Sequence, residues 1–204
     1  MANVAGILLA AGAGRRMGRP KALMRAVDGT PWLTAAGRAL HDGGCSPVVV
    51  VLGAAAEEAR ALLNGLDVQA LEAGDWATGM GASLRTGLAS LAEGVGRPDR
   101  DGYGDDPALT TPDAARIHLV DLPDVGPDVV ARVVDRAAPD VLARADYGHG
   151  PAHPVLIGRE HWPGVIASAQ GDRGARDYLR GRDVLAVDCS DLATGRDIDT
   201  PADL

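Results

Sequence analysis

Short apolar runs alternate along the chain with segments rich in Ala, Leu and charged residues. An apolar run bounded by Gly or Pro is typical of a buried strand, and amphipathic Ala-rich segments favour helices. The pattern predicts strands at 4–9, 47–52, 67–71, 117–120, 140–145, 154–157 and 184–187. It predicts helices at 31–42, 54–63, 83–91, 127–137, 159–168 and 173–179, and a short last helix from residue 201. Strands that alternate with helices imply an α/β fold, a mostly parallel sheet with helices on both faces.

The segment 93–114 interrupts this alternation. It reads EGVGRPDRDGYGDDPALTTPDA and is dense in Gly, Pro and Asp. Such a composition favours an irregular surface segment over a packed element. We therefore expect a single domain over 1–204 that carries a surface insertion at 93–114. We also expect Thr30 to cap the helix that Pro31 begins.

Composition narrows the class of protein. The formal charge is −8 and the pI is near 5.0, which argues against a nucleic-acid partner, since that needs a broad basic surface. Two cysteines are too few for a disulfide framework. No apolar run approaches the roughly 18 residues of a membrane span. We expect a cytoplasmic protein with no membrane partner.

The basic residues gather at the end of the first predicted strand, in LLAAGAGRRMGRPKAL. The spacing of Gly12 and Gly18 excludes a Walker A loop, and Met17 occupies the place of the third glycine of a dinucleotide fingerprint. What remains is a glycine-rich loop in which Gly12 and Gly14 expose backbone amides. Arg16 and Lys21, the only lysine of the chain, supply positive charge. Such a loop is suited to a polyphosphate.

This loop resembles the signature of nucleotidyltransferases that handle the molybdenum cofactor, roughly L-A-[AG]-G-x-S-x-R-M-G-x-x-K, with Gly14 in place of the usual Ser. The resemblance continues in DW, GMGASL, DLP, HPV, GDRGAR and DIDTP, and it covers nearly the whole chain outside 93–114. It implies a three-layer α/β/α nucleotidyltransferase fold with a mixed, Rossmann-like sheet. In the cytidylyltransferase branch, CMP passes from CTP to the molybdopterin phosphate, Mg²⁺ is the cofactor, and pyrophosphate is released.

The motifs assign roles to individual residues. Asp121 ends a buried strand at the sheet edge where ligands gather, and a carboxylate there suits Mg²⁺. The resemblance implies that Asp199 is a second metal ligand. It implies catalytic roles for Arg16, Lys21 and Asp121. The expected nucleotide-binding residues are Leu9, Ala10, Ala11, Gly12, Gly14, Arg16, Lys21, Gly81 and Ser83. The expected acceptor-binding residues are His153, Asp172 and Arg173.

Structural interpretations stand beside several of these roles. Asp121 and Ser83 are also suitable helix caps, and Asp199 in Asp-Thr-Pro is also a good helix start. His153 is equally consistent with a structural histidine, and GDRGAR with a plain capped helix.

Alternative functions also remain open. The Ala10-Ala11-Gly12 sequence favours CTP, whereas guanylyl relatives more often carry LAGG. The alternatives are a GTP-dependent enzyme, a nucleotidyltransferase for another phosphorylated metabolite, and a non-catalytic chaperone of the molybdenum cofactor. A nicotinamide-dependent enzyme is disfavoured by Met17. We expect small-molecule partners and transient contact with molybdoenzymes or cofactor chaperones.

Overall fold

The computed structural model describes residues 2–94 and 111–204. Its strands form one seven-stranded sheet in the order β3-β2-β1-β4-β6-β5-β7, in which β6 alone runs antiparallel to its neighbours. The strands are β1 Val4–Ala10, β2 Val48–Leu52, β3 Gln69–Glu72, β4 Ala114–Leu119, β5 Leu142–Asp146, β6 Pro151–Gly158 and β7 Leu185–Asp188. The α-helices are α1 Trp32–Asp42, α2 Ala56–Ala61, α3 Met80–Ala92, α4 Pro127–Val134, α5 Trp162–Ser168 and α6 Arg176–Leu179.

Helices cover both faces of this sheet. A Cβ on Gly6 would lie 3.2 Å from a side-chain atom of Leu40 in α1, whereas the next residue, Ile7, lies against Gly87 of α3. Successive residues of a strand point to opposite faces, so α1 and α3 lie on opposite sides of the sheet. The arrangement has three layers and confirms the predicted α/β class.

The central strand β1 sets the position of the functional region. It pairs in parallel with β2 on one side and with β4 on the other, so that Leu9 lies opposite both Val51 and Leu119. All seven residues of β1 are buried. The carboxyl ends of β1 and β4 therefore meet at one edge of the sheet, which is where ligands bind in open α/β folds.

The element boundaries depart from the sequence prediction at several points. Thr30 does not cap α1, because the residue before the helix is Pro31 and no side chain caps it. Helix α3 begins at Met80, not at residue 83, so Ser83 lies inside the helix and is not its cap. Strand β4 begins at Ala114, so the predicted insertion ends one residue earlier. Residues 95–110 of that insertion lie outside the described residues.

Two polar side chains lie in the buried strand β4, where the sequence pattern indicated an apolar core. Arg116 and His118 are each fully buried, and their side-chain nitrogens have no hydrogen-bond partner in the part of the chain that the structure describes. Burial lowers the pKa of Arg116 to about 10 and holds the pKa of His118 well below its ordinary value. His118 is therefore neutral in the folded protein at neutral pH.

None of the described helices is long and apolar enough to cross a membrane.

The packing of α3 on the sheet gives a test of stability. Leu88 lies in α3 with no exposed surface, and Leu88→Ala removes buried methyl groups and leaves a cavity. We expect the free energy of unfolding to fall by about 2–5 kcal/mol. Leu185→Ala on the edge strand β7 is the matched control, because Leu185 is 47% exposed, and it should change stability by less than about 0.5 kcal/mol. Urea unfolding followed by circular dichroism measures both; equal losses would contradict this packing.

Candidate active site

The loop after β1 folds back on itself around glycines. Gly14 has φ of +60°, and a Cβ there would lie 1.8 Å from the backbone oxygen of Arg19. Any side chain at residue 14 therefore clashes with the backbone in this conformation. The serine that is usual at this place in the resembling signature does not fit this loop. Glycine is required for the loop to close.

Lys21 stands at the centre of the site and joins two distant parts of the chain. Its Nζ donates hydrogen bonds of 2.6 Å to Oδ2 of Asp121 and of 2.6 Å to Oδ1 of Asp199. Arg16 Nη1 lies 2.8 Å from the other oxygen of Asp199. The side chains of Lys21 and Asp121 are only 15% and 16% exposed, so water screens this pair weakly. Two cations and two carboxylates thus form one compact cluster.

The cluster shifts the pKa values of its members. Burial by itself would lower the pKa of Lys21, but the hydrogen bonds and charges of Asp121 and Asp199 outweigh it, and the pKa of Lys21 is raised. The hydrogen bond from Lys21 lowers the pKa of Asp199, and the charges of Lys21 and Arg16 add to this. Lysine and carboxylate are consequently both ionised at neutral pH.

The last turn of the chain holds Asp199 in place. The backbone N–H of Ile198 donates to the carbonyl of Asp121 at 3.0 Å. Oδ2 of Asp203 accepts hydrogen bonds from the backbone and hydroxyl of Thr200, at 2.7 and 2.8 Å, in a capping box. The same oxygen accepts from the backbone N–H of Asp199 at 3.2 Å. Asp203 thereby positions the residues that face Lys21.

A cleft of about 510 Å³ opens above this cluster, and we call it the loop cleft. Trp76 forms part of one wall and packs against Gly53. A Cβ on Gly53 would lie 2.6 Å from the indole ring. Ten residues that the sequence predicted as nucleotide or metal ligands line it: Leu9, Ala10, Ala11, Gly12, Gly14, Arg16, Lys21, Ser83, Asp121 and Asp199.

Gly81 is the exception among the predicted nucleotide-binding residues. It does not line either cleft, and a Cβ at Gly81 would lie 2.8 Å from the backbone N of Gln170. The glycine lets α3 approach the backbone that follows α5. Gly81 therefore serves close helix packing, and its assignment to the nucleotide stays a prediction.

A second cleft of about 780 Å³ adjoins the first, and we call it the side cleft. The predicted acceptor residues His153, Asp172 and Arg173 all line it. Asp172 and Asp197 line both clefts and mark their junction. Arg176 of the GDRGAR motif lines the side cleft as well, together with two arginines that the sequence analysis missed, Arg144 and Arg196. The two clefts form one continuous surface around the Lys21 cluster.

The donor set fits a divalent metal that is held jointly with phosphates. Within residues 2–94 and 111–204, no group of three or more metal-ligating side chains is assembled. Oδ1 of Asp121 is buried and has no hydrogen-bond partner in the same described ranges, so it is free to take a ligand. Mg²⁺ is usually bound by one or two carboxylates with phosphates and waters completing its shell. In this chain, Asp121 and Asp199 are the carboxylates that would hold such an ion.

Asp124 lies three residues after Asp121 in the sequence, but its carboxylate stabilises a different loop, at residues 194 and 195. Its Oδ2 accepts hydrogen bonds from the backbone and hydroxyl of Thr194, at 2.7 and 2.6 Å. It also accepts from the backbone N–H of Gly195 at 3.2 Å. Asp124 therefore holds the loop that forms one wall of the side cleft.

A three-layer sheet fold with a basic, glycine-rich loop after β1 and carboxylates at the adjoining strand end defines an enzyme that handles nucleoside triphosphates. A family model described as the MobA-like NTP transferase domain matches residues 6–187. The chain belongs to this family and is an NTP transferase. The predicted resemblance is confirmed at this level.

The chain is similar along its length to characterised proteins. It is 34% identical over 207 residues to nicotine blue oxidoreductase of Paenarthrobacter nicotinovorans, covering 97% of this chain and 92% of that relative. The crystal structure of Rv0371c from Mycobacterium tuberculosis H37Rv matches with a TM-score of 0.73 and 27% identity, over 99% and 95% of the two chains. A complex of Rv0371c with manganese matches with a TM-score of 0.69 and 28% identity, over 98% and 95%.

His153 gives a test of the electrostatics. Burial lowers the pKa of His153 to about 4, so the folded protein resists its protonation while the unfolded chain takes up a proton near pH 6.5. Stability is therefore lost as the pH falls from about 6.5 to about 4, by up to about 1.4 kcal/mol per pH unit for this group. His118 contributes in the same direction.

We expect His153→Gln to reduce the pH dependence of the free energy of unfolding by about one proton, as urea unfolding between pH 7 and pH 4.5 would measure. His41→Gln is the control, because the side chain of His41 is 58% exposed. A His153→Gln slope equal to that of the control would show that His153 titrates normally in the folded protein.

Proposed function

We propose that this enzyme transfers CMP from CTP to the phosphate of molybdopterin, with Mg²⁺ as cofactor and in the cytoplasm. One observation carries the proposal: the Lys21–Asp121–Asp199 cluster lines the loop cleft, and this cleft shares Asp172 and Asp197 with the adjoining side cleft. One cleft carries the basic glycine-rich loop and suits a triphosphate. The other suits a second substrate, and a transferase must bring two substrates together at one reacting phosphorus.

The mechanism needs charge neutralisation and positioning, with no covalent enzyme intermediate. Arg16 and Lys21 neutralise the triphosphate, and the backbone amides of the loop after β1 approach its oxygens. Asp121 and Asp199 would hold Mg²⁺, and the bound ion would stabilise the charge that develops at the phosphates during transfer. An oxygen of the acceptor phosphate attacks the α-phosphorus, the bond to the β-phosphate oxygen breaks, and pyrophosphate leaves. The acceptor phosphate is already ionised, so the enzyme needs no base to activate it.

The choice of nucleotide rests on the Ala10-Ala11-Gly12 sequence. Ala11 lines the loop cleft, and its carbonyl accepts a hydrogen bond from the backbone of Ala54 at 3.0 Å. Trp76 packs beside Gly53 in the same wall. A compact wall of this kind favours the smaller pyrimidine base of CTP over the purine of GTP. GTP, or another phosphorylated acceptor, keeps the same mechanism.

A second function of a different class follows from the relative named as an oxidoreductase. At 34% identity over nearly the whole chain, that relative makes a redox reaction a candidate for this chain. Such a reaction requires an electron donor, and a nicotinamide dinucleotide would present its pyrophosphate to the same basic loop. Met17 is buried in the core, where a dinucleotide fingerprint has glycine. We therefore rank this function second.

Pyrophosphate release tests the first function. Purified protein with Mg²⁺ and molybdopterin should release pyrophosphate with CTP and much less with GTP, ATP or UTP. Asp121→Asn removes a metal-binding charge, and we expect transfer to fall by at least about 100-fold. Asp128→Asn is the control, because Asp128 is an exposed carboxylate at the start of α4. Wild-type rates in Asp121→Asn would remove Asp121 from the mechanism.

The other outcomes separate the alternatives. A preference for GTP keeps the mechanism and reverses the assignment of the base. Binding of molybdopterin without pyrophosphate release supports a cofactor chaperone. Oxidation of a reduced nicotinamide cofactor by a dye acceptor supports the redox function. The loss of the cofactor's absorbance measures this oxidation.

A further inference from the structure

Arg144 is a charged residue of the side cleft that forms no ion pair with the described residues. It lies on β5 and is half-buried, and it lines the cleft beside His153, whose pKa its charge helps to lower. Across the described ranges of the chain, its guanidinium makes no recorded hydrogen bond or ion pair. A half-buried guanidinium in a cleft has lost part of its hydration, so it favours a ligand that restores hydrogen bonds.

The side cleft is lined by both charged and apolar side chains. Asp172 and Asp197 line both clefts, whereas Arg144 lines only the side cleft, as Arg176 and Arg196 do. The lining of the side cleft also includes Leu84, Ile117 and Val155. A ligand that fills this cleft therefore meets apolar side chains as well as the guanidinium of Arg144.

The strand register shows how far Arg144 lies from the reacting end. Arg144 is opposite Val155 of β6, and Val155 is opposite Ile117 of β4. Asp121 follows Ile117 beyond the end of the strand. With neighbouring strands about 4.8 Å apart and about 3.3 Å per residue, the Cα atoms of Arg144 and Asp121 are about 16 Å apart. The arginine side chain spans part of this distance, and the acceptor must span the rest.

We propose that Arg144 is the residue that selects the acceptor, by donating two parallel hydrogen bonds to neighbouring acceptor atoms on the edge of a flat heteroaromatic ring. The guanidinium fork makes such contacts with paired ring oxygens and nitrogens, as it does with the edge of guanine. This proposal rests on the proposed function, because it assumes that the reacting phosphate lies at the other end of the same molecule. It makes Arg144 a specificity residue that does not touch the nucleotide.

Two measurements test this assignment with Arg144→Met, Arg144→Lys and Arg38→Met. Arg38 is the control, an exposed arginine of α1 on the opposite side of the sheet. The first measures binding of pterin-6-carboxylate, without nucleotide, through the fluorescence of the pterin. The second measures KM for molybdopterin and for CTP. We expect Arg144→Met to weaken probe binding and raise KM for molybdopterin by about 10- to 100-fold, with KM for CTP unchanged.

Arg144→Lys should fall between the wild type and Arg144→Met, because a lysine keeps the charge but loses the fork. Arg38→Met should match the wild type. No binding of the pterin by the wild type, or equal affinities in Arg144→Met and Arg38→Met, would overturn the assignment. Absence of pyrophosphate release with the wild type overturns the proposed function, and the pterin titration still decides the role of Arg144.

A different observation supports a second inference, about how the metal enters. The ammonium of Lys21 lies 2.6 Å from both carboxylates that the metal is proposed to use. We infer that the ammonium group of Lys21 occupies the metal site in the free enzyme. It leaves this site only when the phosphates of the nucleotide attract it. Metal and triphosphate then bind together, because each favours the arrangement that the other requires.

Manganese titration without nucleotide, followed by electron paramagnetic resonance of the free ion, tests this. Lys21→Met leaves Asp121 without a cationic partner and Asp199 with Arg16 alone, and we expect it to bind Mn²⁺ at least about tenfold more tightly than the wild type. Lys21→Arg keeps a cation and should bind as weakly as the wild type. Circular dichroism verifies that both variants are folded. Equal affinities in Lys21→Met and the wild type would overturn the inference.

Discussion

The pairing of Lys21 with Asp121 and Asp199 is the interaction on which the functional region depends. It joins the loop after β1 to the end of β4 and to the last turn of the chain, whose carboxylates lie 100 and 178 residues from Lys21 in the sequence. In this protein of net charge −8, the cations of the cluster, Arg16 and Lys21, each have a carboxylate partner. In the proposed mechanism, a nucleoside triphosphate and its metal would replace these partners. One set of contacts would then join the parts of the free enzyme and prepare the site for its ligands.

Much of the fold follows from local patterns. The valine run of β2 and the apolar run of β1 are too short and too apolar for anything but buried strands, and both lie within a residue or two of their expected bounds. The prediction failed where tertiary contacts decide. Helix α3 starts at Met80 because Gly79, with φ of +119°, packs against Gly171, a contact that no local pattern shows. Apolar periodicity also could not predict that Arg116 and His118 are buried.

The residues of the candidate site also fall into two groups, those that the sequence predicted and those whose positions depend on tertiary contacts. The loop residues and Asp121 were predictable because β1 and β4 are parallel neighbours whose carboxyl ends must meet. Gly81 was assigned to the nucleotide because small residues often signal close ligand approach, but here the close partner is the backbone at Gln170. Arg144 was missed because its strand gives no chemical motif. Its position depends on the antiparallel insertion of β6 between β4 and β5, which sequence spacing does not encode.

The chain contains a single lysine, and the fold places it at the centre of this cluster. All the other permanently charged basic side chains are arginines, and a guanidinium group has no primary amine that could be methylated reductively. The molecule therefore has one ε-amine, with low exposure and two carboxylate neighbours. Reductive methylation with a carbon-13 label would add one side-chain signal to the spectrum of the protein, apart from that of the α-amino group. That signal would make Lys21 a built-in spectroscopic probe of whatever enters the cleft.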